Sequence, residues 1–263
     1  MTDQAAEPLR EPARLRAVVL GASNVALNLP AVLGHLCLGA GGPVEVLAAC
    51  GCGRSYGAWS DFLWIRELPG IVGCGLWRAL RDAKATPTVA LVTDLGNDLA
   101  YGASAATLAG WVGGCLERLS AHGAAIVLTL PPLAKIQRIP GWQFHATRAL
   151  FFPGTRVVRH RVLAEAEELD GRLRALARAA GAALVEPELA WYGLDPIHVR
   201  RRSLASLWDR ILAGWGLAPA PGRGGPPRVP RFLLAEELRL LGRPLGRPQP
   251  CWRSPEGTTL ALY

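Results

Sequence analysis

Five short runs rich in valine, leucine and alanine constrain the fold of this chain most, because each has the length and composition of a buried strand. The runs are Leu15–Leu20, Val44–Ala49, Thr88–Thr93, Ala124–Leu130 and Ala182–Glu186. Continuous apolar character, as opposed to strict alternation, is typical of parallel strands covered on both faces. The pattern therefore predicts a parallel sheet with helices packed on each side.

Helical patterns between the runs supply the crossovers that parallel strands need. The predicted helices are Asn28–Gly39, Ser104–Ser120, Arg161–Ala180 and Ser203–Trp215. In the third of these, apolar residues recur at alternating spacings of four and three and mark one face. Such alternation predicts an α/β fold with right-handed crossovers, whose ligands bind beyond the carboxyl ends of the strands.

The composition divides the chain into three parts. Residues 1–14 are polar and charged and are expected to form a flexible N-terminus, and residues 15–217 carry the strand and helix pattern of one domain. Proline, glycine and arginine dominate from residue 218, which is typical of a linker. We therefore predict a tail at 218–263, with one short amphipathic helix at Phe232–Leu241.

Several functional classes are disfavoured by composition. The net charge of +8 comes almost entirely from arginine, and no basic run is interleaved with aromatic residues as a nucleic-acid platform requires. No stretch is long and apolar enough to serve as a membrane span or signal segment. The six cysteines are scattered without zinc-ligand spacing. We expect a cytoplasmic protein that binds no nucleic acid, metal or cofactor, and the partner of its tail stays open.

Residues able to carry acyl transfer follow the predicted strands. A serine nucleophile needs a base within hydrogen-bond reach, and that base needs an acceptor to fix its tautomer. Ser23 lies directly after the first strand, behind the small residues Gly21 and Ala22. Asp195 and His198 form the only Asp-x-x-His of the sequence, and in a tight turn this spacing lets the carboxylate orient the imidazole. The residues therefore indicate Ser23, His198 and Asp195 as a catalytic triad.

Other residues near the predicted site have simpler interpretations. Cys50 and Cys52 flank Gly51 after the second strand, but two thiols without a third ligand favour loop packing over a metal site or a thiol nucleophile. Arg200–Arg202 suits a solvated helix start, although it lies close enough to meet an anionic substrate. Six aromatic residues fall in the loops that border the site and form either an acyl or alcohol pocket or local packing: Trp142, Phe144, Phe151, Phe152, Trp191 and Tyr192.

Four blocks in order resemble the SGNH/GDSL hydrolases. They are Gly-x-Ser after the first strand, a glycine after the second, Gly-Asn-Asp after the third, and Asp-x-x-His before the last helix. The resemblance covers residues 15–215 and implies a three-layer α/β/α sandwich with a flavodoxin-like, parallel five-stranded sheet. It also implies an oxyanion hole formed by the amides of Ser23 and Gly53 and the side chain of Asn97, with Gly51 as an alternative to Gly53.

Two positions depart from the family pattern. Ala22 stands where the family has an aspartate before the nucleophile, and Leu95 stands where its third block begins with glycine. Asn97 and Asp98 also suit an ordinary turn. The resemblance implies a serine hydrolase that cleaves a small-molecule ester. Acyl transfer by the same triad and a binding module without turnover remain as alternatives.

Overall fold

The computed structural model describes residues 15–63, 65–218, 227–230 and 233–263. All five expected strands are present, and they pair in parallel in the order β2-β1-β5-β6-β7. Their bounds are β1 Leu15–Leu20, β2 Val44–Ala49, β5 Thr88–Val92, β6 Ala125–Thr129 and β7 Ala183–Val185. Because they are parallel, their carboxyl ends meet at one edge of the sheet, where a site is expected.

Helices cover both faces of this sheet, which confirms the predicted three-layer α/β/α arrangement. On one face, alternate strand residues such as Val18 and Val92 pack against α3, α5 and α8. On the other, Ala17 and Leu91 pack against α2 and α9. The helices have these bounds: α1 Ser23–Leu27, α2 Leu29–Ala40, α3 Leu76–Asp82, α4 Asn97–Ala100, α5 Ala105–Ala121, α6 Leu133–Gln137, α7 Gly141–Phe151, α8 Arg159–Ala179 and α9 Leu204–Gly214.

The C-terminal segment corrects the predicted tail. Strand β11, Thr259–Leu262, pairs in parallel with β2 and therefore extends the sheet, and β10, Trp252–Arg253, pairs antiparallel with β11. Leu260 and Ala261 are buried on opposite faces of the sheet. Without this segment the backbone of β2 would form an exposed edge. The sheet thus has seven strands, and residues beyond 217 complete the core that the sequence assigned to 15–217.

The amphipathic helix expected at Phe232–Leu241 is absent, and that prediction is wrong. Phe232 lies outside the described residues, as do 1–14 and most of the expected linker, but residues 233–238 are not helical and Arg239–Leu240 forms strand β8. A small antiparallel sheet results, in the order β3-β4-β8-β9, from Ser60–Phe62, Arg66–Leu68, β8 and Arg243–Pro244. Leu234 and Leu238 of this segment instead pack on Leu68, the last residue of β4.

Candidate active site

The nucleophile candidate is the first residue of α1. Strand β1 ends at Leu20, and Gly21 lies in the tight turn into the helix. A side chain does not fit at Gly21, because its Cβ would lie 2.7 Å from Val25 and 2.8 Å from Thr93. Ser23 itself is buried, with 7% of its surface exposed. Its hydroxyl is thereby held at the carboxyl edge of the sheet, beside the segment that follows β5.

Three expected triad residues form one hydrogen-bonded chain. His198 Nε2 lies 2.9 Å from Ser23 Oγ, and His198 Nδ1 lies 2.6 Å from Asp195 Oδ2. The other carboxylate oxygen accepts from the amides of Ile197 at 2.8 Å and His198 at 3.2 Å. This turn is the reason that a three-residue spacing can place the carboxylate against its own histidine. The arrangement can move a proton from the serine hydroxyl to the imidazole.

The Asp195 carboxyl is held in its ionised form. Desolvation alone would raise its pKa, but the hydrogen bonds from the His198 side chain and the Ile197 amide, with the nearby imidazole, outweigh that effect and hold the pKa below its ordinary value. An ionised carboxylate at this position favours the tautomer with the proton on Nδ1. It leaves Nε2 able to accept from Ser23.

Asp94 and Asn24 join the nucleophile to the histidine loop, and sequence reasoning assigned neither of them a role. Asp94 Oδ2 accepts from the amides of Ala22 at 2.7 Å and Asn24 at 3.1 Å, and its Oδ1 accepts from the Asn24 side chain at 2.8 Å. Asn24 in turn donates to the Ile197 carbonyl at 3.2 Å and accepts from the Val199 amide at 2.9 Å. In the sequence, only position pointed to these two residues. Asp94 directly follows the third predicted strand, and Asn24 directly follows Ser23.

The backbone of Asp94 has a left-handed conformation, with φ at +62°. Aspartate tolerates this region better than most residues. Desolvation raises the pKa of the Asp94 carboxyl, and the hydrogen bonds from Asn24 and Ala22 oppose that rise. Asp94 binds the amides on both sides of Ser23. Its carboxylate therefore fixes the backbone on both sides of the nucleophile, where Ala22 itself carries no carboxyl group.

Three potential oxyanion donors lack a protein acceptor within the described part of the chain. They are the amides of Ser23 and Gly53 and the side chain of Asn97, which begins α4 and is 7% exposed. Gly53 has φ at +68°, and its carbonyl accepts from the Tyr101 hydroxyl at 2.6 Å. Gly51 is buried, and a Cβ there would lie 2.4 Å from Leu68. Gly53 is the more accessible of the two glycines.

Asp98 fastens the loop that contains Gly53. Its carboxylate accepts from the Ser55 hydroxyl and, at 3.0 Å, from the Tyr56 amide. Ser55 also accepts from the amides of Gly57 at 3.1 Å and Ala58 at 3.0 Å. Desolvation raises the pKa of Asp98, and its hydrogen bond with Ser55 opposes that rise. Asp98 is therefore more than an ordinary turn residue, because it ties the loop after β2 to α4.

The cysteines near the site are poor nucleophiles. Desolvation raises the pKa of Cys50 to about 12 and also raises the pKa of Cys52. Both thiols stay protonated at neutral pH, and only the thiolate is strongly nucleophilic. In the described ranges, no group of three or more histidine, cysteine, aspartate or glutamate side chains is arranged to hold a metal ion. The raised pKa values favour loop packing of Cys50 and Cys52 over a thiol nucleophile.

A cavity of about 160 Å³ adjoins Ser23 and Asn97. Four of the six bordering aromatic residues line it, namely Phe144, Phe152, Trp191 and Tyr192. The Phe151 ring instead lies edge-on to His198, with 5.3 Å between ring centroids, and Trp142 is 69% exposed. Arg201 and Arg202 are exposed to solvent and do not line the cavity. The wall beside the nucleophile is thus largely apolar.

Comparisons with known proteins give similar folds at low sequence identity. No protein-family model matches the chain, and no curated protein matches its sequence. Among solved structures, the psychrotrophic esterase EstA from Pseudoalteromonas sp. is similar with 10% identity, 76% of this chain and 95% of that chain covered, and a TM-score of 0.48. TesA is similar with 17% identity, 76% and 97% coverage, and a TM-score of 0.45.

A GDSL-like lipase from Bacteroides thetaiotaomicron is similar with 14% identity, 76% of this chain and 87% of that chain covered, and a TM-score of 0.47. Across the described residues, no helix combines the length and apolar character needed to cross a bilayer. The resemblance to SGNH/GDSL hydrolases rests on the four sequence blocks.

Proposed function

We propose that this chain is a serine hydrolase that cleaves the ester, or a related acyl bond, of a small molecule. The observation that carries the proposal is the unbroken chain of hydrogen bonds from Ser23 through His198 to Asp195, at 2.9 and 2.6 Å. This chain supplies a nucleophile, a base and an orienting carboxylate in the geometry that serine acyl transfer requires. It supports turnover over a binding module that has lost catalysis.

The reaction has two acyl-transfer steps. Ser23 Oγ attacks the carbonyl carbon while His198 Nε2 takes the hydroxyl proton, and the tetrahedral intermediate then expels the alcohol, which receives that proton. In the second step His198 takes a proton from water, whose oxygen attacks the acyl group on Ser23. Collapse releases the acid, and the serine regains its proton. Asp195 stabilises the imidazolium in both steps while remaining ionised.

The oxyanion is proposed to accept hydrogen bonds from the Ser23 and Gly53 amides and from Asn97 Nδ2. Support comes from their lack of protein acceptors within the described residues and from the position of Asn97 in the wall beside Ser23. Preorganised donors of this kind lower the barrier without reorganising during the reaction. Asp98 and Asp94 have positioning roles, because they fix the loops that carry these donors.

Hydrolysis of p-nitrophenyl acetate by the purified full chain tests the proposal. We expect turnover by the native protein and a loss of about 10⁴-fold or more in Ser23→Ala, as for other triad nucleophiles. Ser120→Ala is the matched control, since Ser120 is exposed on α5 and should keep the native rate. Equal rates for the native protein and Ser23→Ala would refute the assignment of the nucleophile.

A further inference from the structure

The cavity beside Ser23 is partly open to solvent and is lined by two segments that follow the strands. Residues after β6 form one side, including Leu130, Ile136 and Ile139, and the beginning of α8 contributes Val162. The loop that carries the histidine forms the other side through Pro196 and Ile197. Ser23 and Asn97 belong to the same wall. The cavity therefore begins where an acyl carbon bonded to Ser23 would lie.

Several polar side chains in this wall already have hydrogen-bond partners in the protein. Thr129 donates to Thr93 at 2.6 Å, and Arg148 donates to the Val157 carbonyl at 3.1 Å. Asn24 and Asp94 bond each other, as described for the site. A polar ligand group entering here would lose water and find few partners, which costs free energy. The wall thus favours a hydrocarbon occupant.

The acyl group, and not the alcohol, fits this position. His198 delivers a proton to the leaving alcohol, yet it does not line the cavity, whereas the oxyanion donor Asn97 does. The Phe151 ring that contacts His198 lines a second cleft of about 450 Å³, together with Trp59 and Tyr101, and Phe152 lies between this cleft and the cavity. The alcohol side of the ester therefore faces that cleft, and the acyl side faces the cavity.

We infer that the cavity is an acyl pocket for an uncharged hydrocarbon group on the order of six carbons; this inference rests on the proposed function. The length follows from the volume, because an apolar protein cavity of about 150 Å³ holds one benzene molecule, which has six carbons. Each methylene that is buried in the transition state should raise kcat/KM by about three- to fourfold. A hexanoyl ester, which has about four more methylenes to bury than an acetyl ester, should thus exceed it by about 80- to 250-fold.

A series of p-nitrophenyl esters from acetate to dodecanoate tests the length. For the native protein, we expect kcat/KM to rise to a maximum near hexanoate and to fall for decanoate and dodecanoate. A profile that is highest for acetate, or one that still rises at dodecanoate, would overturn the inference. If Ser23→Ala loses activity and either profile is found, the proposed function stands and the acyl pocket alone fails.

Two consecutive valines provide a matched pair of variants. Val157 lines the cavity, while Val158 is 46% exposed and does not. Val157→Phe should fill part of the pocket and lower kcat/KM for hexanoate by about tenfold or more, with acetate changed less than about threefold. Val158→Phe should retain the native profile. Equal losses for acetate and hexanoate in Val157→Phe would contradict the pocket assignment.

A second variant that fills the cavity, and a single-turnover measurement on the native protein, distinguish a lost pocket from a misfolded variant. Val162→Phe enters the cavity from α8 and should give the same loss of selectivity for long chains. Thermal unfolding identifies any variant that does not fold. Inactivation of the native protein by p-nitrophenyl alkylphosphonates needs only one attack by Ser23, and its rate should also peak near the hexyl compound. Rates that do not depend on alkyl length would overturn the inference.

Discussion

The nucleophile and the oxyanion donors of the proposed site are held in place differently, although a desolvated carboxylate supports each of them. On the nucleophile side, Asp94 accepts three hydrogen bonds and, with Asn24, links the segments around residues 22–24, 94 and 197–199. On the oxyanion side, Asp98 accepts two hydrogen bonds and links α4 to the loop at Ser55 and Tyr56. Proton transfer should therefore depend more strongly on its supporting carboxylate than oxyanion binding does.

The largest effect beyond loss of the nucleophile is expected on the proton-transfer side. Asp195→Asn keeps the shape of the side chain but can fix the wrong imidazole tautomer, so kcat should fall by about 10⁴-fold. Steady-state hydrolysis of p-nitrophenyl acetate measures the loss. Asp209→Asn, on α9, is a control at which the rate should not change. A loss below about tenfold would show that Asp195 does not set the tautomer.

Removing an oxyanion donor should cost less. Asn97→Ala should lower kcat by about 10²- to 10³-fold with little change in KM, because the bond to the oxyanion forms mainly in the transition state. The same ester assay separates the two constants. An unchanged kcat would exclude Asn97 from the reaction. A rise in KM alone would place it in substrate binding instead.

The supporting carboxylates provide the direct comparison. In the native protein the Asn24 side chain donates a hydrogen bond to the Asp94 carboxylate, and Asp94→Asn places an amide against that donor. We expect a loss of about 10²-fold in kcat, because Ser23 and His198 are then misplaced. Asp98→Asn keeps one acceptor and should cost about tenfold. Asp82→Asn, at an exposed position, should match the native rate. Equal losses in the first two variants would remove the difference between the two sides.

The smallest expected effect is on the free energy of unfolding, through the titration of Asp98. Because desolvation raises its pKa, the folded chain binds this proton more tightly than the unfolded chain does. The stability so contributed is present below the unfolded pKa of roughly 3.9 and is lost as the pH rises through the raised value. Asp98→Asn lacks this titration, so its unfolding free energy should improve relative to the native protein between pH 4 and 7. Urea unfolding across this range would contradict the account if the difference stayed constant.

Local patterns predicted the central part of the fold. The strands that begin at Leu15 and Val44 have the expected bounds, and the other three differ from the prediction by one residue at one or both ends. Their apolar composition reflects burial on both faces, which a short window of sequence records. The same holds for α5 and α8, whose apolar residues repeat at helical spacing.

Long-range pairing was outside the reach of local patterns. Thr259–Leu262 is too short for its own sequence to predict a strand, and it forms one because it pairs with the edge of β2. The segment 233–241 has leucines at helical spacing, but it packs Leu234 and Leu238 on Leu68 and leaves Leu241 exposed. Packing against the rest of the chain decides which conformation such a segment adopts. The segment's own sequence carries no information about that packing.

The candidate site was predictable where family resemblance or close spacing joined its residues. Asp195 and His198 are three residues apart, whereas Asp94 and Asn24 are separated by 70 residues in sequence. An isolated aspartate after a strand has many possible roles, and only the fold shows which amides it meets.

Covalent labelling tests the central claim most directly. A fluorophosphonate should modify the native protein at one site, and peptide mass spectrometry should place the phosphonyl group on Ser23. Labelling should be absent in Ser23→Ala and strongly slowed in His198→Ala, which lacks the base. Modification of a different residue, or equal labelling of the native protein and Ser23→Ala, would contradict the claim that Ser23 is a nucleophile activated by His198.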